Sequence, residues 1–494
     1  MKIIKKLTAE SGTLGEKTAK GGFWLSVTKI ATRVFDFVRT IVLARLLLPA
    51  DFGIFGVVLL VNSIVETFTE TGFGQAIIKD TDESDTLLNT AWTVTIIKSL
   101  LVAIVLFGLS YLAVVFFNSP EAGPMIRVAS LYIVINGFTN IKAVYLQKQM
   151  KFHKQFVFLM AGSVSQTVVS IALAIILRNA WALVIGMVAG ATVKVISSYI
   201  IVRYKPMLAI SKEKLAKLWN FGKWLTGSSI LTFLLLDADD IVVGKLLGTE
   251  SLGFYQLAYR ISNLPATEIS RVVADVSFPA YASIQEKVDK LRIAFSKVLQ
   301  TVSFSTIPLG VIVFSLAASF TALFLGDNWL PIIPAIEILA IFGIIRSFES
   351  ATGSIFLASG KVRTMTLLQL LQVAIMYSLI VPLTLTYGII GASIAVLTGA
   401  IIDIILRFIF CARIIGIGAK QMYIPVLTGI TTVLLPALAV FALRAILDLS
   451  PLAQFSLEAT SFIVLYFSSS LLVSKLVKDS PFSVTKRLFT LLFR

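Results

Sequence analysis

The sequence predicts an all-α polytopic membrane protein with about fourteen transmembrane helices, arranged as two six-helix bundles in parallel repeat plus two C-terminal helices. Three observations predict it. The 494-residue chain is 57% hydrophobic, and apolar runs long enough to cross a bilayer recur from end to end. A segment near the start is written again two hundred residues later. Lysines and arginines gather in alternate loops.

The repeat is clearest in residues 22–57 and 222–257, which align without a gap. Gly22-Phe23-Trp24-Leu25 matches Gly222-Lys223-Trp224-Leu225, and Ile41-Val42 matches Ile241-Val242. Arg45-Leu46-Leu47 matches Lys245-Leu246-Leu247, and Gly53 and Phe55 match Gly253 and Tyr255. Duplicated halves in a membrane usually mean a transporter with its path between the repeats. The likeness extends loosely to Phe138–Lys151 with Phe348–Lys361, and to Trp181–Gly190 with Gly388–Gly399.

The spans lie near 22–46, 52–77, 88–117, 123–147, 155–177, 181–202, 221–247, 253–283, 297–324, 331–358, 364–385, 388–411, 422–444 and 453–474. They must be helices, because lipid offers no partner for exposed backbone groups. Six spans per half is an even number, so both halves share one orientation and are parallel repeats. The expected organisation is an N-terminal segment 1–21, a bundle 22–205, a linker 206–219, a second bundle 220–413, two added spans within 414–475 and a basic tail 476–494. The stretch 203–220 (RYKPMLAISKEKLAKLWN) reads as a short amphipathic helix on the membrane surface.

Charge supplies the orientation. With the N-terminus in the cytoplasm, cytoplasmic ends and loops hold about 28 of the 43 lysines and arginines and the opposite loops about four. Both termini are therefore expected in the cytoplasm. The net charge of +16 would suggest nucleic acid in a soluble protein. In this chain it reads as positive-inside anchoring at lipid headgroups, so no nucleic acid is expected.

The single cysteine, Cys411, and single histidine, His153, exclude an intramolecular disulfide and a multi-His or Cys metal site. No P-loop, nucleotide fingerprint or metal-ligand cluster appears, so an enzyme is not expected, nor a cofactor. Prolines in or beside spans (Pro265, Pro279, Pro308, Pro331, Pro334 and Pro382) read as fixed kinks before hinges. Gly186 and Gly190 read as close helix packing within a bundle.

The opening stretch GGFWLSVTKIATRVFDFVRTIVLARLLLPADFGIFGVV, with TETGFGQAIIK at 69–79 and LQKQMKF at 146–152, resembles the Wzx-type flippases of the multidrug/oligosaccharidyl-lipid/polysaccharide (MOP) exporter superfamily. The resemblance covers nearly the whole chain. It implies a pair of bundles around a central cavity. It also implies alternating-access transfer of an undecaprenyl-diphosphate-linked repeat unit across the bacterial inner membrane, with coupling to H⁺ or Na⁺. The implied partners are that lipid-linked oligosaccharide, membrane lipids and polysaccharide polymerase machinery, and a monomer suffices because one chain holds both halves.

Ionised groups in spans are expensive, about 2.5–3.5 kcal/mol each at the bilayer centre, so they mark candidate sites. The first span carries Lys29, Arg33, Asp36 and Arg39 along one helical face. Three cations against one anion suit a diphosphate, which an arginine fork can grip with two hydrogen bonds. The competing reading pairs Arg33 with Asp36 and lets Lys29 and Arg39 snorkel. Lys142, Arg260 and Arg346 are further candidate cavity cations.

The matching helix of the second half has the opposite sign: Asp237, Asp239 and Asp240. With Glu66 and Glu70 of the second span and Asp36, they are candidates for a coupling-ion site or gate. The competing reading has the three aspartates solvated at a helix end. Glu268–Arg271, Arg271–Asp275, Arg346–Glu349 and Asp403–Arg407 are spaced as local helical pairs. His153 reads as solvated in a basic loop.

Two other functions compete. A cation-coupled drug or metabolite antiporter of the same superfamily would favour an acidic, aromatic cavity, against the basic first helix. A glycan polymerase or ligase would carry a large external loop, and no connection here exceeds about twenty residues. A non-transporting scaffold ranks last.

Overall fold

The computed structural model describes residues 14–69, 72–79, 84–216, 218, 233–234 and 237–476. Among them every regular element is helical. In chain order they are α1 (Leu14–Leu46), α2 (Pro49–Phe68), α3 (Phe73–Lys79), α4 (Asp85–Phe117), α5 (Ala122–Gly137), α6 (Val144–Lys148), α7 (Phe152–Leu177) and α8 (Trp181–Ile201). Then come α9 (Ala238–Ser283), α10 (Val288–Phe320), α11 (Ile333–Ala358), α12 (Val362–Ile415), α13 (Ala419–Ile446) and α14 (Pro451–Leu476).

Local chemistry sets these boundaries. Extended Leu48 followed by Pro49 at the first helical position separates α1 from α2, since proline has no N–H to donate to the preceding turn and its φ is pre-set to start a helix. Ser84 caps α4 by accepting from the Leu87 N–H at 3.3 Å. Asn118 and Arg178 end α4 and α7 in the left-handed region. The long α9 and α12 are each two helices joined at a glycine with positive φ, Gly248 (83°) and Gly388 (60°). Gly388 divides α12 between the spans expected at 364–385 and 388–411. Gly248 stands two hundred residues from Leu48, so both copies of the repeat break at the same place. Pro308 and Pro382 stay inside continuous helix, and the sharp breaks fall at glycine instead.

Nine helices among the described residues are long and apolar enough to cross a membrane, with α12 counted as one. The 16-residue α5 is too short to qualify, and α1 carries too many charges. The fourth expected span, 123–147, is interrupted. The chain turns after Gly137, where Asn140 donates to the Val202 carbonyl at 2.7 Å and accepts from the Lys142 N–H at 3.1 Å. The Asn140 side chain thus supplies hydrogen bonds in place of those a continuous helix would have made.

The chain forms two compact units, Met1–Gly253 and Phe254–Arg494, dividing later than the 206–219 linker. In the first, α7 packs along α8 and α1, α4 along α5, and α5 against α8 and α2. An apolar cluster in it runs from Val57, Val58 and Leu60 of α2 through Leu106 of α4 to Ile126 of α5 and Val184 of α8. Gly186 on α8 presses on Ser170 of α7, and Gly190 on Gln166, as packing glycines should. In the second unit α10 is the hub, contacting α11, α13 and α14, while α11 packs along α12.

The two added helices are fastened to α10 by a polar knot. Arg444 of α13 donates to both carboxylate oxygens of Glu458 on α14, at 3.1 and 2.9 Å. The carboxylate also accepts from Ser319 of α10 at 2.6 Å and from Gln454 at 2.7 Å. Glu458 is wholly buried, and four donors replace its water.

Candidate functional site: charged groups inside the helical units

Helix α1 lies on α7, with the Trp24 ring 5.3 Å from Phe156 and 6.3 Å from His153. His153 is therefore half-buried in the first turn of α7 and not a solvated loop residue. Further along, Arg39 pairs with Asp36 at 3.0 Å, and both are partly covered. Lys29 and Arg33 of the same helix are exposed.

A second group forms inside the first unit. A cavity of about 340 Å³ is lined by Ser63, Glu66 and Thr67 of α2, by Thr69 just past its end and by Lys98 of α4, with Val102 and Ile133 as its apolar wall. Glu66 lies in electrostatic range of Tyr132 on α5 and of Lys194 on α8. The Lys194 ammonium donates to Asn136 of α5 at 2.6 Å, and the Asn136 amide donates to the Tyr132 carbonyl at 2.8 Å. Four helices thus converge on one carboxylate and two ammonium groups. Glu66 sits in the last turn of α2, where helix carbonyls favour the lysine charges. Glu70 lies outside the described residues.

Lys98 and Lys194 escape a reading that looks for several charges in one span. Each is a solitary cation in an apolar helix, which reads as a snorkelling residue. The available signal is depth: Lys194 lies seven residues before the end of α8, too far in for an easy reach to the surface.

The second unit holds a third group. Asp403 and Arg407 of α12 pair one turn apart, and both are buried. Glu349 of α11 lies in electrostatic range of that pair and of Arg346, and it accepts from Gln372 of α12 at 3.3 Å. What the sequence offers as two local pairs is one cluster of four charges. The packing of α11 along α12 brings them to a common face.

The remaining candidates lie elsewhere. Lys142 occupies a 3₁₀ turn after α5, 3.9 Å from Asp85 and 4.5 Å above the Tyr204 ring, at a helix end and not deep in a span. Burial first, then the Asp85 carboxylate, hold the Tyr204 phenol above its usual range, so it remains a donor. Asp237, Asp239 and Asp240 stand at the first described turn of α9; Asp239 is 3% exposed, unlike a solvated end. Arg260 is exposed on α9, and the side chains of Glu268 and Arg271 lie outside the described residues. No group of three metal-ligating residues occurs among the described residues.

An all-helical membrane protein of two units, with charge concentrated where helices cross, has the architecture of a polytopic transporter. Residues 42–334 match the family model described as polysaccharide biosynthesis protein, and the chain belongs to that family. It is 27% identical over 419 residues to the lipopolysaccharide biosynthesis protein WzxC of Escherichia coli (strain K12), covering 83% of this chain and 84% of that one. It is 25% identical to the teichuronic acid biosynthesis protein TuaB of Bacillus subtilis (strain 168), covering 71% and 73%. Among solved structures, the inward closed conformation of the lipid II flippase MurJ superposes with a TM-score of 0.73, at 15% identity over 91% of this chain and 99% of that one. An inward-facing MATE-family transporter of the MOP superfamily gives 0.60, at 18% identity over 80% and 98%. The fold is that of the MOP superfamily.

Proposed function

We propose that this protein is a flippase that carries an undecaprenyl-diphosphate-linked oligosaccharide repeat unit across the bacterial inner membrane by alternating access, without covalent chemistry, for surface polysaccharide biosynthesis. The observation that carries the reading is α1: Lys29 and Arg33 stand exposed near the Arg39–Asp36 pair, and three cations against one anion leave this face net positive, as a diphosphate needs. Arg260 and Arg346 are further candidate contacts. The family match and the name of the MurJ neighbour, a lipid II flippase, point the same way.

In this reading both termini face the cytoplasm, residues 22–205 and 220–413 act as the two rocking bundles, and one chain is the working unit. H⁺ or Na⁺ supplies the drive. Glu66 is the best-placed coupling carboxylate, because it lines a cavity beside counter-charges; Asp237, Asp239 and Asp240 are alternatives. Polysaccharide polymerase machinery would consume the product.

The test is depletion in the native host with mass spectrometry of undecaprenyl-diphosphate-linked repeat units. Their accumulation, with loss of surface polysaccharide, is the expected result. Unchanged intermediates with normal surface glycan would overturn the assignment, and loss of drug or dye efflux would then favour the antiporter.

A further inference from the structure

The connection after α8 departs from its expected helix. Residues 203–211 are extended, and helix resumes only at 212. Pro206 removes a backbone donor and biases Lys205 away from helical dihedrals. What replaces the helical hydrogen bonds is α4. The Met207 N–H donates to Asn89 Oδ1 at 2.9 Å, the Ala209 N–H to Thr93 Oγ1 at 3.0 Å, and the Ser211 N–H to Thr90 Oγ1 at 3.1 Å. Both threonine hydroxyls donate in turn to their own helix, at 2.7 Å. Tyr204 adds its hydroxyl to the same Asn89 oxygen at 2.9 Å. From Met207 to Ser211 every second N–H is therefore satisfied by an α4 side chain, as one edge of a strand would be by its neighbour.

That arrangement suits the interface. Three donors are satisfied by α4, and the N–H groups of Leu208 and Ile210, which no protein group accepts, need the water of the headgroup region, so the backbone lies at the hydrocarbon boundary and not within it. Its depth fits: α4 has 33 residues, so at 1.5 Å per residue it is about 50 Å long against a hydrocarbon core of about 30 Å. If centred, it projects by roughly 10 Å at each end, and Thr93 lies about 12 Å along from Asp85. The middle of the strap is thus level with the hydrocarbon boundary. Met207, Leu208 and Ile210 face outward there, 68%, 73% and 52% exposed. Arg203 and Lys205 precede them, and Lys212 and Lys214 follow, with Glu213 as the only acid between 203 and 214. Apolar side chains at the boundary, flanked by cations, match a leaflet whose headgroups are negative.

We propose that residues 203–214 form an interfacial binding surface for anionic phospholipid, in the leaflet that meets the N-terminal end of α4. Met207, Leu208 and Ile210 enter the acyl boundary, and Lys205 and Lys212 engage phosphate. The surface is independent of the transported substrate and anchors the linker between the repeats to the bilayer.

The single cysteine makes the test direct. In a Cys411→Ser background, a nitroxide is attached to the full-length chain at Leu208→Cys. The labelled protein is reconstituted into phosphatidylcholine vesicles with and without phosphatidylglycerol. Collision with oxygen against a water-soluble nickel chelate reports depth. The oxygen-to-nickel ratio is expected to rise severalfold when phosphatidylglycerol is present, and Lys205→Gln with Lys212→Gln should return it to the phosphatidylcholine value. A label at Leu112→Cys, on the exposed flank of α4 (66% exposed), should read lipid in both mixtures and so verify the fold. A water-exposed Leu208→Cys label in both mixtures would overturn the proposal. So would equal immersion in both, which would mean apolar contact without headgroup recognition.

Discussion

Gly53 and Gly253, the same position in the two copies of the repeat, meet backbone to backbone within the first unit. A Cβ on Gly253 would run into the Pro49 carbonyl and the Gly53 nitrogen, and one on Gly53 into the Thr249 carbonyl. Pro49 and Thr249 are themselves repeat-related, so the contact is reciprocal. Backbone atoms cannot swing aside as a side-chain tip can. Gly253→Ala is therefore expected to destabilise the protein by about 1–3 kcal/mol or more, through overpacking. Gly22→Ala, where nothing lies within 4 Å, is the matched control. Thermal unfolding in detergent compares the two, and equal midpoints would show that the contact is not tight.

The Arg444–Glu458 pair makes a different kind of prediction. Glu458→Gln leaves a guanidinium facing a neutral amide, and Arg444→Met leaves a wholly buried carboxylate with two donors fewer. Breaking one side of such a pair costs about 3–5 kcal/mol, whereas replacing both members by apolar residues is often near neutral. Arg444→Met combined with Glu458→Leu should thus be more stable than either single change. A double-mutant cycle on unfolding reads the coupling directly. Additive single effects would mean that the knot does not hold α13 and α14 to α10.

Much of this fold is legible in the sequence because hydropathy and charge act locally. Apolar length alone marks α4, α7 and α13, and the two-hundred-residue repeat places the breaks at Leu48 and Gly248 in equivalent positions. The linker is not legible in this way, because whether 203–211 is helical depends on three α4 side chains more than a hundred residues away. The charged groups split the same way. Asp403 and Arg407 can be paired by helical spacing, but their meeting with Glu349 depends on which face of α11 turns toward α12. Lys194 is invisible as a site until α5 brings Asn136 to it.

That lysine carries the third prediction. Lys194 is held by Asn136 at 2.6 Å and lies in electrostatic range of Glu66. A hydrogen bond to a charged group is worth about 1.5–3 kcal/mol. Lys194→Met should lower export of the lipid-linked substrate about tenfold or more, at unchanged membrane level. Asn136→Asp, which keeps an acceptor, should be milder. If Glu66 is the coupling carboxylate, Glu66→Gln will leave export insensitive to dissipation of the ion gradient, measured in inverted vesicles. Export by Glu66→Gln that still collapses with the gradient would remove Glu66 from that role.

The proposed substrate contact rests on the α1 cations, and the structure separates their expected behaviour. Arg33 is more exposed than Arg39, so Arg33→Ala should change stability less than Arg39→Ala does. Its effect, if it grips phosphate, must appear in transport. Loss of one charge-assisted contact, about 1.5–3 kcal/mol, corresponds to a fall in export of roughly ten- to hundredfold. Arg39 pairs with Asp36 at 3.0 Å, so Arg39→Ala strips a partner from a carboxylate in the membrane and should reduce both stability and export. Arg260→Ala, on exposed α9 surface, should resemble Arg33→Ala. Each variant is scored for membrane level, unfolding midpoint and accumulated lipid-linked intermediate. Normal export in all three single variants would sink the assigned role, since a diphosphate carried through a cationic path cannot be indifferent to every one of its arginines.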